Sequence, residues 1–182
     1  MATSLLFGCS AGVNFKKLDE NQLVLGVTTK TEVLTAMGKP NTKGSAVYNG
    51  INVDVINYSY AKVGGDALNP GITPARSQGL FFADEILVGK NYSSSFNIDN
   101  TYFDVEKAKT IKEGQSKSDV IETLGESRSL QIYPLVNDKE GYAIVYMLTQ
   151  AKGFKLKQDI LIVEFDSNDV VTKSSLTSTG QF

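Results

Sequence analysis

Thr29-Lys30-Thr31-Glu32-Val33-Leu34-Thr35-Ala36-Met37-Gly38 is matched 87 residues later by Ser116-Lys117-Ser118-Asp119-Val120-Ile121-Glu122-Thr123-Leu124-Gly125. In each stretch a hydroxyl residue stands three positions before an acid, so that the two side chains can each accept the other residue's backbone N–H. Thr29 and Ser116 therefore start short helices. Val33, Leu34 and Met37 in the first stretch, and Val120, Ile121 and Leu124 in the second, fall at i, i+1 and i+4 and share one buried face. The glycine after each run supplies a left-handed cap, and Pro40 keeps the first helix from resuming. Two copies of one unit are implied.

Each helix has an earlier partner in the sequence. Asp104 can cap a helix through Val105, Ala108 and Ile111 that ends before Gly114, and Phe15 to Leu25 forms its counterpart, ending before Gly26. After the helices the period changes to two. Val47 to Val53 is an apolar run broken by Asn49-Gly50, a strong hairpin signal because both residues accept positive φ. From Ile51 to Tyr60 the apolar face passes from Ile51, Val53 and Val55 to Ile56, Tyr58 and Tyr60, which implies a bulge near Val55 or a strand whose exposed face changes along its length. The second copy offers Leu130 to Val136, a turn over 137–141, and Tyr142 to Leu148. A third strand follows in each, Leu80 to Ala83 with Ile86 to Val88, and Ile160 to Phe165 with Val170-Val171. The expected class is α+β: two tandem ααβββ units over 15–96 and 97–182, with antiparallel sheets and short helices packed on one face. Ser93-Ser94-Ser95 marks the junction.

Composition bounds what such a molecule does. A chain of 182 residues buries ~70% of its unfolded surface, enough for a core without disulfides. Eighteen basic residues against twenty acidic leave a net charge of −2, too little positive charge to hold a phosphate backbone, so nucleic acid is excluded as the expected partner. With no histidine and one cysteine, Ser-His-Asp and Cys-His nucleophile systems and zinc sites of the His or Cys type are removed by counting. The remaining acids near strand ends, Asp84-Glu85 and Glu164 with Asp166, read as turn and outward strand residues. Gly89-Lys90 lacks the flanking residues of a phosphate loop. The expectation is a protein that is not an enzyme and uses no cofactor or metal.

The one cysteine closes the apolar run Ala2-Thr3-Ser4-Leu5-Leu6-Phe7-Gly8. Leu6-Phe7-Gly8-Cys9 resembles the bacterial lipobox, which implies that residues 1–8 are the remnant of a signal peptide and that Cys9 is acylated. Several acyl chains, at about 0.8 kcal/mol per buried methylene, anchor a protein without a spanning helix. Residues 9–14 would then be a lipidated tether, and Ser10 at the sorting position implies the outer membrane.

Glu113-Gly114-Gln115-Ser116-Lys117-Ser118-Asp119-Val120 with Leu124-Gly125, and Leu34 to Pro40 in the first copy, resemble the signature of the BamE-related outer-membrane lipoproteins, the SmpA/OmlA family. Two such units in tandem are similar in arrangement to the beta-lactamase inhibitor protein. The resemblance implies a binding scaffold: an interaction module on the periplasmic face of the outer membrane that contacts envelope proteins, in assembly or integrity, or alternatively an inhibitor or ligand-capture protein. A monomer is expected.

The stretch Ala61 to Gln78, with Gly64-Gly65, Pro70-Gly71 and Pro74, has no periodicity, and its counterpart in the second copy, Gln150 to Gln158, is short. It reads either as a recognition loop or as a mobile hairpin tip. Leu68, Pro70 and Ile72 within it, Tyr58 and Tyr60 beside it, and Phe154 among Lys152, Lys155 and Lys157 are the candidate partner-binding residues. Three lysines around one aromatic suit an anionic surface or an acidic partner, or else guard a strand edge. Tyr142 and Tyr146 share a face as Tyr58 and Tyr60 do, which fits an interface strip or core packing with hydroxyls at the rim.

Overall fold

Thr29 and Ser116 cap their helices reciprocally. The Thr29 N–H donates to Glu32 Oε2 at 2.8 Å and the Glu32 N–H to Thr29 Oγ1 at 3.2 Å; the Ser116 and Asp119 pair repeats this at 2.9 and 3.2 Å. The helices they start are α1 (Lys30–Met37) and α3 (Lys117–Leu124). Gly38 and Gly125 end them at φ 74° and 82°, with N–H groups donated to Leu34 O and Ile121 O. The computed structural model describes residues 10–182. Expectations for the signal-peptide remnant 1–8 and for Cys9 lie outside the described residues.

The earlier helices are shorter than the sequence implies. Asp104 accepts the N–H groups of Glu106 and Lys107, but α2 is one turn, Val105–Ala108. In the first half, Phe15 to Leu25 contains only a 3₁₀ turn at Glu20–Gln22. The Gln22 side chain takes the Asp19 N–H and Thr28 Oγ1 takes the Val24 N–H, so donors a helix would use are satisfied by side chains. Phe15, Leu18 and Leu23 are buried all the same. Apolar spacing located the buried residues without fixing the backbone between them.

One antiparallel sheet of nine strands carries the rest: β1 (Ser10–Gly12), β2 (Thr42–Tyr48), β3 (Ile51–Lys62), β4 (Ala75–Ala83), β5 (Ile86–Ser94), β6 (Ser129–Ile132), β7 (Tyr142–Lys152), β8 (Lys155–Phe165) and β9 (Val171–Thr179). From β3 to β9 the strands lie in sequence order, and β1 and β2 both pair with β3 at the other edge. Three details correct the sequence reading. Each half contributes four strands rather than three, because Asp84-Glu85, both at positive φ, turn β4 back into β5, and 166–170 do the same between β8 and β9. Ser10–Gly12, expected in a free tether, is a strand paired with Tyr60–Lys62. Of Leu130 to Val136, the chain leaves the strand after Ile132.

The register slip expected near Val55 is absent: β3 pairs without interruption with β2 and β4, and the bulges lie at Phe81/Phe82 and Glu164/Phe165. Val53 is buried on the opposite face from Ile56 and Tyr58, so β3 does change its buried face along its length.

The helices cover one face of the sheet and divide the core in two. One cluster gathers Leu23, Val33, Ile56, Tyr58, Leu80, Phe82 and Leu87; the other gathers Phe103, Val120, Ile144, Tyr146, Leu161, Val163 and Phe165. The same contacts recur in both. Tyr58 OH donates to Gly38 O, and Tyr146 OH to Gly125 O, each at 2.8 Å. Phe15 tilts against Tyr58 and Phe103 against Tyr146, both with ring centroids 5.9 Å apart. Thr29 bridges Ile86 as Ser116 bridges Val170.

Candidate binding surface

Alternation along the strands places every second side chain on the face that the helices leave open. Near the end of the sheet where β3 runs out, this face is built from small uncharged residues. Ser59 lies opposite Ser77, and Ser77 opposite Ser93. The Thr149 N–H donates to Ser93 Oγ at 3.1 Å, and Gln158 Nε2 donates to its cross-strand partner Thr149 at 2.9 Å. The row thus runs across β3, β4, β5, β7 and β8, and a groove of about 300 Å³ lies over it. At its β1 margin Gly12 has φ 78°, and a Cβ there would meet Ser59 O at 2.2 Å, so only glycine permits this approach. No signal in the sequence marks the row, because its members meet through register and not through spacing.

The proposed recognition loop is shorter and more firmly held than its composition suggests. It spans 63–74, since β3 continues to Lys62 and β4 begins at Ala75. The Leu68 N–H donates to Ser95 O at 2.9 Å, the Thr73 N–H to Ala151 O at 2.8 Å, and the Lys62 N–H to Pro74 O at 3.1 Å. Leu68 and Ile72 are half-buried and Pro70 is exposed. The Thr73–Ala151 pairing ties the loop to the tip of the β7–β8 hairpin, where Phe154 stands fully exposed between Lys152 and Lys155. Lys157 is engaged by Asp159 at 3.2 Å.

Tyr58 and Tyr60 both pack on the covered-face core, Tyr58 away from the groove and Tyr60 at its margin. Tyr58 is 2% exposed, and burial raises its hydroxyl pKa above the usual range. Tyr60 is half-buried and stacks on Phe96 at 5.9 Å, with the Arg76 guanidinium near Phe15, Tyr60 and Phe96. Tyr58 is therefore a core residue and Tyr60 part of a packed cation–aromatic cluster. In the second half, burial raises the Tyr146 hydroxyl to about 12, while Tyr142 stacks on Phe165 and donates to Asp169. Core packing with hydroxyls at the rim accounts for Tyr58, Tyr142 and Tyr146.

Asp99 anchors the junction between the halves. It accepts from Ser94 Oγ at 2.5 Å and Tyr92 OH at 2.6 Å, and faces Arg76 Nη1 at 3.4 Å. Burial alone would raise its pKa, but the hydroxyl donors and the guanidinium outweigh that and hold it below the usual carboxylate range. Of the acids near strand ends, Glu85, Glu164 and Asp166 have structural partners. Glu85 and Asp54 hold Lys30 at 3.0 and 2.6 Å, Glu164 holds Lys173 at 3.2 Å, and Asp166 accepts the N–H groups of Asn168 and Val170. Among the described residues no group of His, Cys, Asp or Glu is arranged to hold a metal ion.

Residues 100–175 match the family model for the outer membrane protein assembly factor BamE domain. The match takes in α2, α3, β6, β7, β8 and the first half of β9, which is the second of the two similar halves. A Streptococcus mutans protein, crystallised and described as a proposed beta-lactamase inhibitor protein, is similar in structure at a TM-score of 0.42, with 16% identity over 87% of each chain. No curated protein sequence matches the chain.

Proposed function

We propose that this protein is a lipid-anchored interaction module on the periplasmic face of the outer membrane, built of two BamE-like units in tandem, which binds an envelope protein and catalyses no reaction. The observation that carries this reading is the BamE-domain match over 100–175. The recurrence of caps, tyrosine–glycine bonds and ring pairs in the first half supports extending the unit to residues 15–96. Attachment rests on the lipobox-like Leu6-Phe7-Gly8-Cys9, and no helix among the described residues is long and apolar enough to cross a membrane. The partner surface is the open sheet face above Ser59, Ser77 and Thr149, extended by Pro70 and Ile72 of the loop and by Phe154.

Expressed with its full leader in a two-membrane bacterium, the protein should label with a palmitate analogue and fractionate with the outer membrane. Cys9→Ser should abolish both, and unchanged labelling in that variant would reject the anchor. A photo-crosslinking residue at Ser77 or Thr149 should capture a discrete envelope protein that the same probe at Thr35, exposed on α1, does not. Equal capture from both faces would remove the groove as the site. The same open face favours the second reading, an inhibitor or ligand-capture protein, and a crosslinked enzyme that loses activity on binding would select it.

A further inference from the structure

β9 ends the strand order and, beyond Val171, whose N–H donates to Gln115 O and whose carbonyl accepts from the Gly114 N–H, is paired on one side only, with β8. Its outer side presents backbone donors and acceptors to solvent, with Ser175, Thr177, Ser178 and Thr179 exposed. Edges of this kind are ordinarily blunted by charge, proline, bulges or short length, because they template further strands. The opposite edge has such protection. It is divided between β1 and β2, the Asn41 side chain at the gap takes the Ser59 N–H at 2.8 Å, and β2 carries Lys43 and Gly44.

β9 has far less. Its register shift comes at its start, opposite Phe165, and its one charge, Lys173, is held by Glu164 of the neighbouring strand at 3.2 Å. From Ser174 to Thr179 there is no charge, proline or bulge. The sequence there is also nearly symmetric about Leu176: Ser174-Ser175-Leu176-Thr177-Ser178. With two copies antiparallel about that residue, Ser175 lies opposite Thr177 and Ser174 opposite Ser178, hydroxyl against hydroxyl. The two lysines fall at opposite ends, each across from Thr179, so like charges do not meet. Leu176, half-buried against the second core, meets Leu176 of the second copy on the same face and extends that core across the junction.

We infer that β9 is a self-association edge: two copies of this chain pair β9 with β9 about a two-fold axis at Leu176, joining their sheets into one. This replaces the monomer expected from sequence, where a strand edge cannot be seen. The pairing is isologous and closes at two copies, leaving the open-face groove of each free.

Sedimentation equilibrium of the full chain carrying Cys9→Ser, so that neither lipid nor a disulfide links the copies, tests this. A concentration-dependent dimer is expected. Adding Ser175→Lys with Thr177→Lys sets lysine opposite lysine at two places and should yield monomers of unchanged circular dichroism. Ser175→Lys with Thr177→Glu sets lysine opposite glutamate at the same two places and should restore the dimer. A parent protein that stays monomeric, a dimer that survives the paired lysines, or a lysine–glutamate variant that remains monomeric would each overturn the inference. Because the lysine–glutamate variant must itself associate, it decides the matter even if the paired lysines were to disturb folding.

Discussion

Tyr58 and Tyr146 show how one residue type marks equivalent places in the two halves. Each hydroxyl reaches the carbonyl of the glycine that ends its helix, fixing the helix end to the sheet beneath. Tyr58→Phe and Tyr146→Phe should each cost about 1 kcal/mol of stability, the net worth of one buried hydrogen bond, read from urea unfolding. Sequence alternation showed that Tyr58 and Tyr60 share a face, but not that the helices lie over it. That is why Tyr58 was legible as a patterned residue and not as a core residue. Asp99 supports a second prediction. Its depressed pKa means that the stability it contributes is complete above the unfolded-state pKa of Asp and is lost as pH falls through the lower folded-state value. Asp99→Asn should therefore be less stable than the parent at neutral pH and lose less stability on acidification. Urea midpoints measured from neutral to acid pH should converge; a constant gap would show that the carboxylate's charge plays no part.

The elements that were legible are those with local causes. The hydroxyl–acid pairs and terminal glycines of α1 and α3 act within one chain segment, and the Asn49-Gly50 turn needs only two residues of positive φ (47° and 78°). Phe15 to Leu25 was misread because Thr28 and Gln22 satisfy backbone donors that apolar spacing cannot report. The fastening of the loop 63–74 was not legible for a related reason: its bonds to Ser95 and Ala151 come from residues distant in sequence. Its Gly and Pro content shows only that the segment is irregular. Because it is fastened at both places, replacing Val63–Pro74 by a short Gly-Ser turn should lower the melting temperature, contrary to what a free recognition loop would do. Thr73→Pro removes the donor to Ala151 alone and should cost about 1 kcal/mol, more if β7 frays with it. A melting temperature unchanged by both changes would return the loop to the status of an insertion serving recognition only.

At the scale of the whole molecule, two cores share one sheet through a narrow seam. β5 and β6 pair only at Gly89–Gln131 and Lys90–Leu130. So short a ladder would leave two independently unfolding halves if nothing else crossed it. Other bonds do cross: the Tyr92 N–H donates to Ser129 Oγ at 2.8 Å, the Thr149 N–H to Ser93 Oγ, and Asn49 Nδ2 to Pro134 O at 2.9 Å and Val136 O at 3.0 Å. Breaking the seam would leave the buried serine hydroxyls Ser93 and Ser129 and the backbone groups they serve without partners, a cost of about 1–3 kcal/mol for each buried group. The halves should therefore unfold together. Leu80→Ala in the first core and Leu161→Ala in the second each remove a fully buried side chain, at about 2–5 kcal/mol. Both should lower one shared calorimetric transition, with circular dichroism and tyrosine fluorescence giving the same midpoint. With Ser93→Ala and Ser129→Ala added, the seam loses its buried donors and acceptors, and the transition should split, the half carrying the Leu→Ala change melting first. Two transitions in the parent protein would instead mean that the halves are coupled only through the chain between them, and that the groove spanning β3 to β8 is not one rigid surface.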